Sequence, residues 1–156
     1  MIIREATTAP EIARVGELFE EYAAWLAARG ADLSLQAFAA ELASLPGLYA
    51  PPRGRLLLAR AGEESTGTVA LRPIGESACE MKRLYVRPAF RGLGLGRKLA
   101  ERIIAEARAI GYATMKLDTL PLNREAIQLY RELGFKECPP YHESPYAQTI
   151  FMELSL

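Results

Sequence analysis

The sequence has very few residues of the kinds that bind metals or form disulfides. It contains two cysteines, Cys79 and Cys138, which are far apart in the chain, and a single histidine, His142. A zinc site usually draws several Cys or His ligands from closely spaced pairs. Two distant cysteines also cannot build a disulfide framework. The sequence therefore predicts neither a metal site nor a disulfide scaffold.

An excess of charge and a long apolar run are also missing. Nineteen Lys and Arg residues balance nineteen Asp and Glu residues, whereas nucleic-acid and membrane-surface binding usually requires a basic excess. No apolar run approaches the roughly 20 residues that cross a bilayer, and "MIIREATTAPEIARV" lacks the apolar core of a secretion signal. We expect no nucleic-acid or membrane partner and a cytoplasmic location. The 156 residues suit one domain, residues 1–156, with its own core.

Hydrophobic periodicity divides the chain into alternating strands and helices. Ser34 is a candidate N-cap for a second helix that ends at Leu45, before Pro46. The predicted strands are "MIIRE", two in "RLLLARAGEESTGTVALRPI", "ACEMKRLYV", "ATMKLDTL" and a last strand with one buried face formed by Ile150, Met152 and Leu154; the predicted helices lie between Thr7 and Gly30, from Ser34 to Leu45, from Leu95 to Ile110 and after Asn123. The order predicts a mixed α/β fold. It lacks the regular βαβ alternation of a dinucleotide-binding fold.

The stretch "RLYVRPAFRGLGLGRKLA" places three glycines, Gly92, Gly94 and Gly96, where a helix must begin. Glycine at a helix start costs conformational entropy, so a backbone reason is needed. The N-terminus of a helix has unsatisfied N–H groups and a partial positive charge, and glycines allow successive amides to turn towards a phosphate. The loop therefore indicates a phosphate site, although a simple tight turn in a structural domain is the alternative.

Two common glycine loops do not fit this stretch. A Walker A loop ends in Gly-Lys-Ser/Thr, whereas this loop ends in Gly96-Arg97-Lys98-Leu99 and offers no hydroxyl for magnesium. A dinucleotide-binding loop has the spacing G-x-G-x-x-G near the start of its fold, whereas the spacing here is G-x-G-x-G, deep in the chain. Neither class of site is predicted.

The pattern Arg91-x-x-Gly94-x-Gly96, after a strand ending in "LYV", resembles the pyrophosphate loop of the GNAT superfamily, the acetyl-CoA-dependent N-acetyltransferases. The stretch "LPLNREAIQLYRELGFKE" resembles a second family pattern, which begins with an asparagine and runs through A-x-x-L-Y-x-x-x-G-F. Both patterns occur in the family order and at the family distance, from Ala78 to Lys136. The resemblance implies a GNAT fold: a central, mostly antiparallel sheet of six or seven strands with about four helices.

The resemblance also implies a set of residues that bind coenzyme A. The backbone of Leu84, Tyr85 and Val86 would bind the pantetheine arm, with the Leu84 amide as donor to the thioester oxygen. The pyrophosphate would lie on the amides of Arg91, Gly92, Leu93, Gly94, Leu95, Gly96 and Arg97, and the ribose phosphate near Arg87, Arg91, Arg97 and Lys98. Asn123 would bind the pantetheine arm or cap its helix.

Two catalytic roles follow from the resemblance. Tyr130 would protonate the departing thiolate, while its ring packs on the inner face of its helix. Glu80 would take the proton of the amine, directly or through water, or else form an ion pair with Lys82 or Arg83. Tyr141 and Tyr146 belong to a late loop that hangs over the acceptor side in this family, and His142 in the same loop is a surface residue by default.

The implied function is acetyl transfer from acetyl-CoA, without a metal, to a primary amine of a small molecule or peptide, by direct attack in a ternary complex. A non-catalytic acyl-CoA-binding module with the same fold is the alternative. Many relatives are dimers, so a homodimer is possible. The acceptor itself is not specified by any motif.

Overall fold

The computed structural model describes residues 1–33 and 37–156. In these residues the chain forms seven strands and four α-helices. The strands are β1 (Ile2–Glu5), β2 (Arg55–Ala61), β3 (Glu64–Ile74), β4 (Ala78–Val86), β5 (Thr114–Thr119), β6 (Lys136–Glu137) and β7 (Ile150–Ser155), and the helices are α1 (Ala9–Ala27), α2 (Phe38–Ala43), α3 (Leu95–Ile110) and α4 (Arg124–Glu132). The predicted mixed α/β fold with a central sheet is confirmed.

The seven strands form one sheet in the order β1-β2-β3-β4-β5-β7-β6. All neighbouring strands are antiparallel except β4 and β5, which are parallel and are connected through α3. The β4–β5 pairing covers only Ala78–Glu80 and Thr114–Lys116. The rest of each strand is unpaired with the other among the described residues, so the sheet opens between them.

Helices cover both faces of the sheet. On one face, α3 and α4 enclose a core that includes Leu57, Leu99, Ile103 and Met115, all essentially inaccessible to solvent. On the other face, α1 and α2 pack over a second core built around Phe19. Burial of apolar side chains on both faces is the main stabilising contribution to this three-layer arrangement.

The helix ends follow local sequence signals. Thr8 and Glu11 form a capping box at the start of α1, because each side chain accepts a hydrogen bond from the other residue's backbone N–H, at 3.0 and 3.3 Å. After α4, the Phe135 N–H donates to the Tyr130 carbonyl at 3.0 Å, which closes the helix. None of the helices in residues 1–33 and 37–156 has the length and apolar character needed to cross a membrane.

Two details differ from the sequence predictions. Helix α2 begins at Phe38, after Ala37 in a left-handed conformation, and the predicted N-cap Ser34 lies outside the described residues. The prediction of a single buried face for β7 is wrong, because Phe151 on the other face is only 7% exposed. The segment between β6 and β7 covers that face, with the rings of Tyr141 and His142 packed edge-on against Phe151.

Candidate functional site

A β-bulge shapes the strand that borders the opening in the sheet. The pairing of β3 with β4 shifts between Thr68 and Ala70, and Arg83 has a φ angle of +60°. The Arg83 side chain is bound by Glu41 of α2, with two guanidinium nitrogens 3.0 Å from the carboxylate oxygens. A bulge bends its strand and changes the direction of the following residues. The backbone of residues 84–86 therefore borders the opening.

A groove of about 530 Å³ runs along this strand and over the start of α3. We call it the cofactor groove. Its walls include most of the predicted coenzyme A residues: Leu84, Tyr85, Val86, Arg91, Gly92, Gly94, Leu95, Gly96 and Asn123, together with Tyr22, Trp25 and Tyr130. Two predicted residues do not line it. Leu93 is 66% exposed, and the Arg97 side chain is engaged in ion pairs with Glu101 and Glu132.

The glycine loop leaves its amides unused. Gly92 and Gly94 have φ angles of +78° and +79°, which ordinary side chains rarely adopt. The first main-chain bond of α3 is the Lys98 N–H donating to the Gly94 carbonyl, at 3.1 Å. Within the described chain, no protein acceptor is found for the N–H groups of residues 92–97. Such a run of free donors at a helix start is suited to an anion.

The basic residues around this loop face in different directions. Arg91 lies in the groove, where its Nε donates to the Val86 carbonyl at 2.9 Å and its guanidinium lies 5.4 Å from the Trp25 ring centroid. Arg87 instead binds Glu21 through two nitrogens, the shorter distance being 2.6 Å. Of the four basic residues expected near the ribose phosphate, only Arg91 lines the groove among the described residues. Their role in phosphate binding remains a prediction.

A second, smaller cavity of about 60 Å³ lies on the other side of the same opening. We call it the inner pocket. Its lining is more polar and includes the side chains of Tyr22, Asp32, Lys82, Asp118, Asn123, Tyr130 and Tyr146. Tyr22, Leu84, Asn123 and Tyr130 line both cavities. The two cavities therefore meet at Leu84 and Tyr130.

Tyr130 has the environment of a protonated hydroxyl at this junction. Its ring packs against Phe135, with centroids 5.7 Å apart, and only 7% of the residue is exposed. Burial raises the pKa of Tyr130, and the nearby Tyr22 and Asp118 raise it further. The hydroxyl therefore stays protonated at neutral pH and can donate a proton. Tyr130 thus packs in the core and also lines both cavities.

Glu80 lies behind the inner pocket and is absent from the described lining of either cavity. It is completely buried and accepts hydrogen bonds from the Arg72 Nε at 2.7 Å and from the Tyr141 hydroxyl at 2.5 Å. The expected ion pair with Lys82 or Arg83 is wrong, because the partner is Arg72 on the neighbouring strand β3. The prediction that Glu80 is the base remains a prediction.

Sequence reasoning missed Asp118. This residue lines the inner pocket, and its carboxylate also binds the Nε2 of His142, whose Nδ1 lies 2.6 Å from the Glu143 carbonyl oxygen. Strand alternation in "ATMKLDTL" places Asp118 two residues beyond Lys116, the residue that pairs with Glu80. That alternation was the available signal, but nothing in the sequence placed His142 beside it.

Glu80, Asp118 and His142 bring their ligand-type atoms within 4.8 Å of one another. The sequence predicts no metal site, because His142 is the only histidine and its nearness to these neighbours is not visible there. The absence of a metal remains a prediction. In the structure each of the three already has protein partners: Arg72 and Tyr141 for Glu80, and Asp118 for His142.

Two polar contacts hold the rim of the inner pocket. The Asn123 side chain makes no capping bond to α4 and instead donates from Nδ2 to the Thr119 Oγ1 at 3.2 Å. The Asp32 N–H donates to the Tyr146 hydroxyl at 2.6 Å, which ties the loop before β7 to the segment after α1. The capping role considered for the Asn123 side chain is therefore wrong.

Comparison with known proteins agrees with this geometry. The model of the Acetyltransferase (GNAT) family matches residues 15–135, which is more than half of the chain. The chain belongs to the GNAT acetyltransferase family. An uncharacterized N-acetyltransferase of Schizosaccharomyces pombe is 44% identical over 130 residues, covering 81% of this chain and 79% of that protein.

Solved structures of GNAT acetyltransferases have the same fold. An acetyltransferase from Streptococcus agalactiae superposes with a TM-score of 0.82 at 23% identity, covering 99% of this chain and 98% of that one. A putative acetyltransferase from Salmonella typhimurium, solved with its cofactor acetyl-CoA, gives a TM-score of 0.70 at 26% identity and covers 99% of this chain and 93% of that one. GNAT neighbours of this protein thus bind acetyl-CoA.

Proposed function

We propose that the protein transfers the acetyl group of acetyl-CoA to a primary amine of a small molecule or peptide, by direct attack in a ternary complex. The observation that carries this proposal is the meeting of two cavities at Leu84 and Tyr130. Transfer between two bound molecules requires their reacting atoms to lie side by side, and such positioning contributes about 7–11 kcal/mol in the best intramolecular models. A cofactor in one cavity and an amine in the other meet that requirement.

The cofactor groove fits coenzyme A at two places. The free N–H groups of residues 92–97 suit the oxygens of its diphosphate, because backbone donors at a helix N-terminus attract an anion without needing side chains. The edge of β4 that β5 leaves unpaired, along residues 84–86, suits the amides of the pantetheine arm, which would bind as an added strand. In this arrangement the thioester reaches Leu84 and Tyr130.

The reaction forms a bond between the amine nitrogen and the thioester carbonyl carbon and breaks the carbon–sulfur bond. In this proposal the Leu84 N–H donates to the carbonyl oxygen as negative charge develops there. Tyr130 gives its hydroxyl proton to the departing thiolate. Because burial raises the pKa of Tyr130, the proton is retained until the thiolate forms.

Two carboxylates are candidates for the base that removes the proton of the amine. Glu80 is held by Arg72 and Tyr141 behind the pocket, so it would act through water. Asp118 lines the inner pocket and lies close enough to Tyr130 to influence its pKa. Asp118 is therefore a second candidate for the base, and variants of the two carboxylates distinguish between them.

Thermal unfolding with and without acetyl-CoA tests the proposal first. A ligand present at 100 times its dissociation constant stabilises the folded state by about 2.7 kcal/mol, so the melting temperature should rise clearly. Release of free thiol in the presence of an amine panel then shows transfer. An unchanged melting temperature at millimolar acetyl-CoA would contradict the proposed cofactor groove, and binding without thiol release would contradict the proposed reaction.

A further inference from the structure

The inner pocket contains a cationic side chain without a protein partner. Lys82 is only 9% exposed and lines the pocket from β4. No hydrogen bond or ion pair of its ammonium is found in residues 1–33 and 37–156. Its Nζ is not among the fully buried atoms that lack a hydrogen-bond partner, so the ammonium faces the pocket space and has three donors for a bound molecule. Such a group indicates a ligand that supplies the acceptors.

The neighbouring carboxylates do not serve as hydrogen-bond acceptors for the Lys82 ammonium. Glu80 is bound by Arg72 and Tyr141, and Asp118 is bound by His142. The carboxylates nearest to Lys82 thus have closer partners, although both act on it through space. Burial, as the largest cause, lowers the pKa of Lys82, because removal from water disfavours the charged ammonium. A bound carboxylate would favour the charged form again.

The opposite side of the same pocket is suited to an amine. The carboxylates of Asp118 and Asp32 both line the pocket, and Asp118 is close to the Tyr130 hydroxyl at the junction with the cofactor groove. An ammonium entering the pocket would therefore meet a carboxylate near the reacting thioester. The pocket thus offers a carboxylate on the β5 side of the opening and an ammonium on the β4 side.

We propose that the acceptor carries a carboxylate close to its amine, as in a free amino acid, and that Lys82 binds this carboxylate while the amine lies between Asp118 and the thioester. The inference rests on the proposed acetyl transfer at the same site. The small volume of the pocket, about 60 Å³, favours a compact head group of this kind over a bulky amine. Lys82 is then the residue that determines acceptor specificity.

The test compares matched acceptors. The twenty standard L-amino acids and the corresponding amino acid amides are supplied with acetyl-CoA, and initial rates of thiol release give kcat/KM for each pair. We expect the free acid of the best substrate to exceed its amide by about 30-fold or more, which corresponds to the lower end of the cost of leaving one buried charge unpaired. In Lys82→Met this preference should fall towards one, and Lys82→Arg should retain part of it.

Lys116→Met is the matched control. Lys116 lies on the neighbouring strand β5, pairs with Glu153 at 3.7 Å and does not line either cavity among the described residues. The acid-to-amide ratio in this variant should equal that of the native protein. The melting-temperature shift with coenzyme A, measured on each variant, confirms that the protein is folded and that the cofactor groove is intact.

The outcomes separate this inference from the proposed function. Equal use of acids and amides, or an unchanged preference in Lys82→Met, would overturn the carboxylate inference and leave acetyl transfer in place. Thiol release only with amines that lack a carboxylate would do the same. Absence of thiol release with every acid and amide would overturn the inference, and absence of a coenzyme A shift as well would overturn the proposed function with it.

Discussion

Replacement of Tyr130 by phenylalanine removes one hydroxyl and keeps the ring. The ring packs on Phe135 at a centroid distance of 5.7 Å, and that contact remains in the variant. In the described residues the hydroxyl has no protein hydrogen-bond partner. We therefore expect Tyr130→Phe to change the free energy of unfolding by less than about 1 kcal/mol.

The effect on catalysis should be much larger. A positioned general acid contributes about 100- to 10,000-fold to a rate, so kcat for thiol release should fall by at least about 100-fold in Tyr130→Phe. The melting-temperature shift with coenzyme A should persist, because the groove is otherwise intact. The assay measures thiol release under saturating acetyl-CoA with the best amine from the panel.

Tyr112→Phe is the matched control for the loss of a buried tyrosine hydroxyl. Tyr112 is 5% exposed, and its hydroxyl donates to the Arg53 carbonyl at 2.6 Å, outside the lining of both cavities among the described residues. This variant should lose about 1 kcal/mol of stability and keep kcat within twofold. A kcat for Tyr130→Phe within threefold of the native value would refute the acid role.

Three further predictions concern the cofactor loop, the base and the pH profile. Gly94→Ala should weaken coenzyme A binding, measured calorimetrically, because φ is +79° and the loop must distort; Gly111→Ala, with φ +107° at the other end of α3, should lower stability alone. Equal affinities of the native protein and Gly94→Ala for coenzyme A would contradict this prediction. Asp118→Asn should flatten the acid limb of the kcat/KM profile if Asp118 is the base, and Glu80→Gln should flatten it if Glu80 is. Glu80→Gln should also lose about 1–3 kcal/mol of stability in thermal unfolding, since it removes the buried negative charge that pairs with Arg72. Burial raises the pKa of Tyr130 above that of an ordinary tyrosine, so its hydroxyl should stay protonated across the measured range. We therefore expect kcat to rise with pH as the amine loses its proton and then to level off. A fall in kcat that begins below pH ~9.5 would indicate an ordinary tyrosine pKa and would contradict this expectation.

The elements that local signals specify were predictable from the sequence. The capping box and Pro10 mark the start of α1, Gly111 ends α3, and the Phe135 N–H closes α4 onto the Tyr130 carbonyl. Each of these signals acts within a few residues, so it can be recognised in a single sequence. The glycine loop before α3 is likewise specified by a local signal.

The features that depend on distant contacts were not predictable. The bulge at Arg83 is accompanied by an ion pair with Glu41, which is 42 residues away in the sequence. The Arg87 side chain binds Glu21, 66 residues away, and not the groove. The loop before β7 places His142 on Asp118, although nothing in its own sequence specifies that docking. Such pairings follow from tertiary packing, which overrides local preference.

The central claim is that the loop between β4 and α3 holds a diphosphate by its peptide nitrogens and that the thioester lies along β4. A crystal structure of the protein with coenzyme A tests it most directly. The account predicts diphosphate oxygens within about 3.2 Å of N–H groups in residues 92–97, with the pantetheine arm along residues 84–86 and its sulfur facing Tyr130. Coenzyme A bound elsewhere, with these amides turned away from it, would contradict the account.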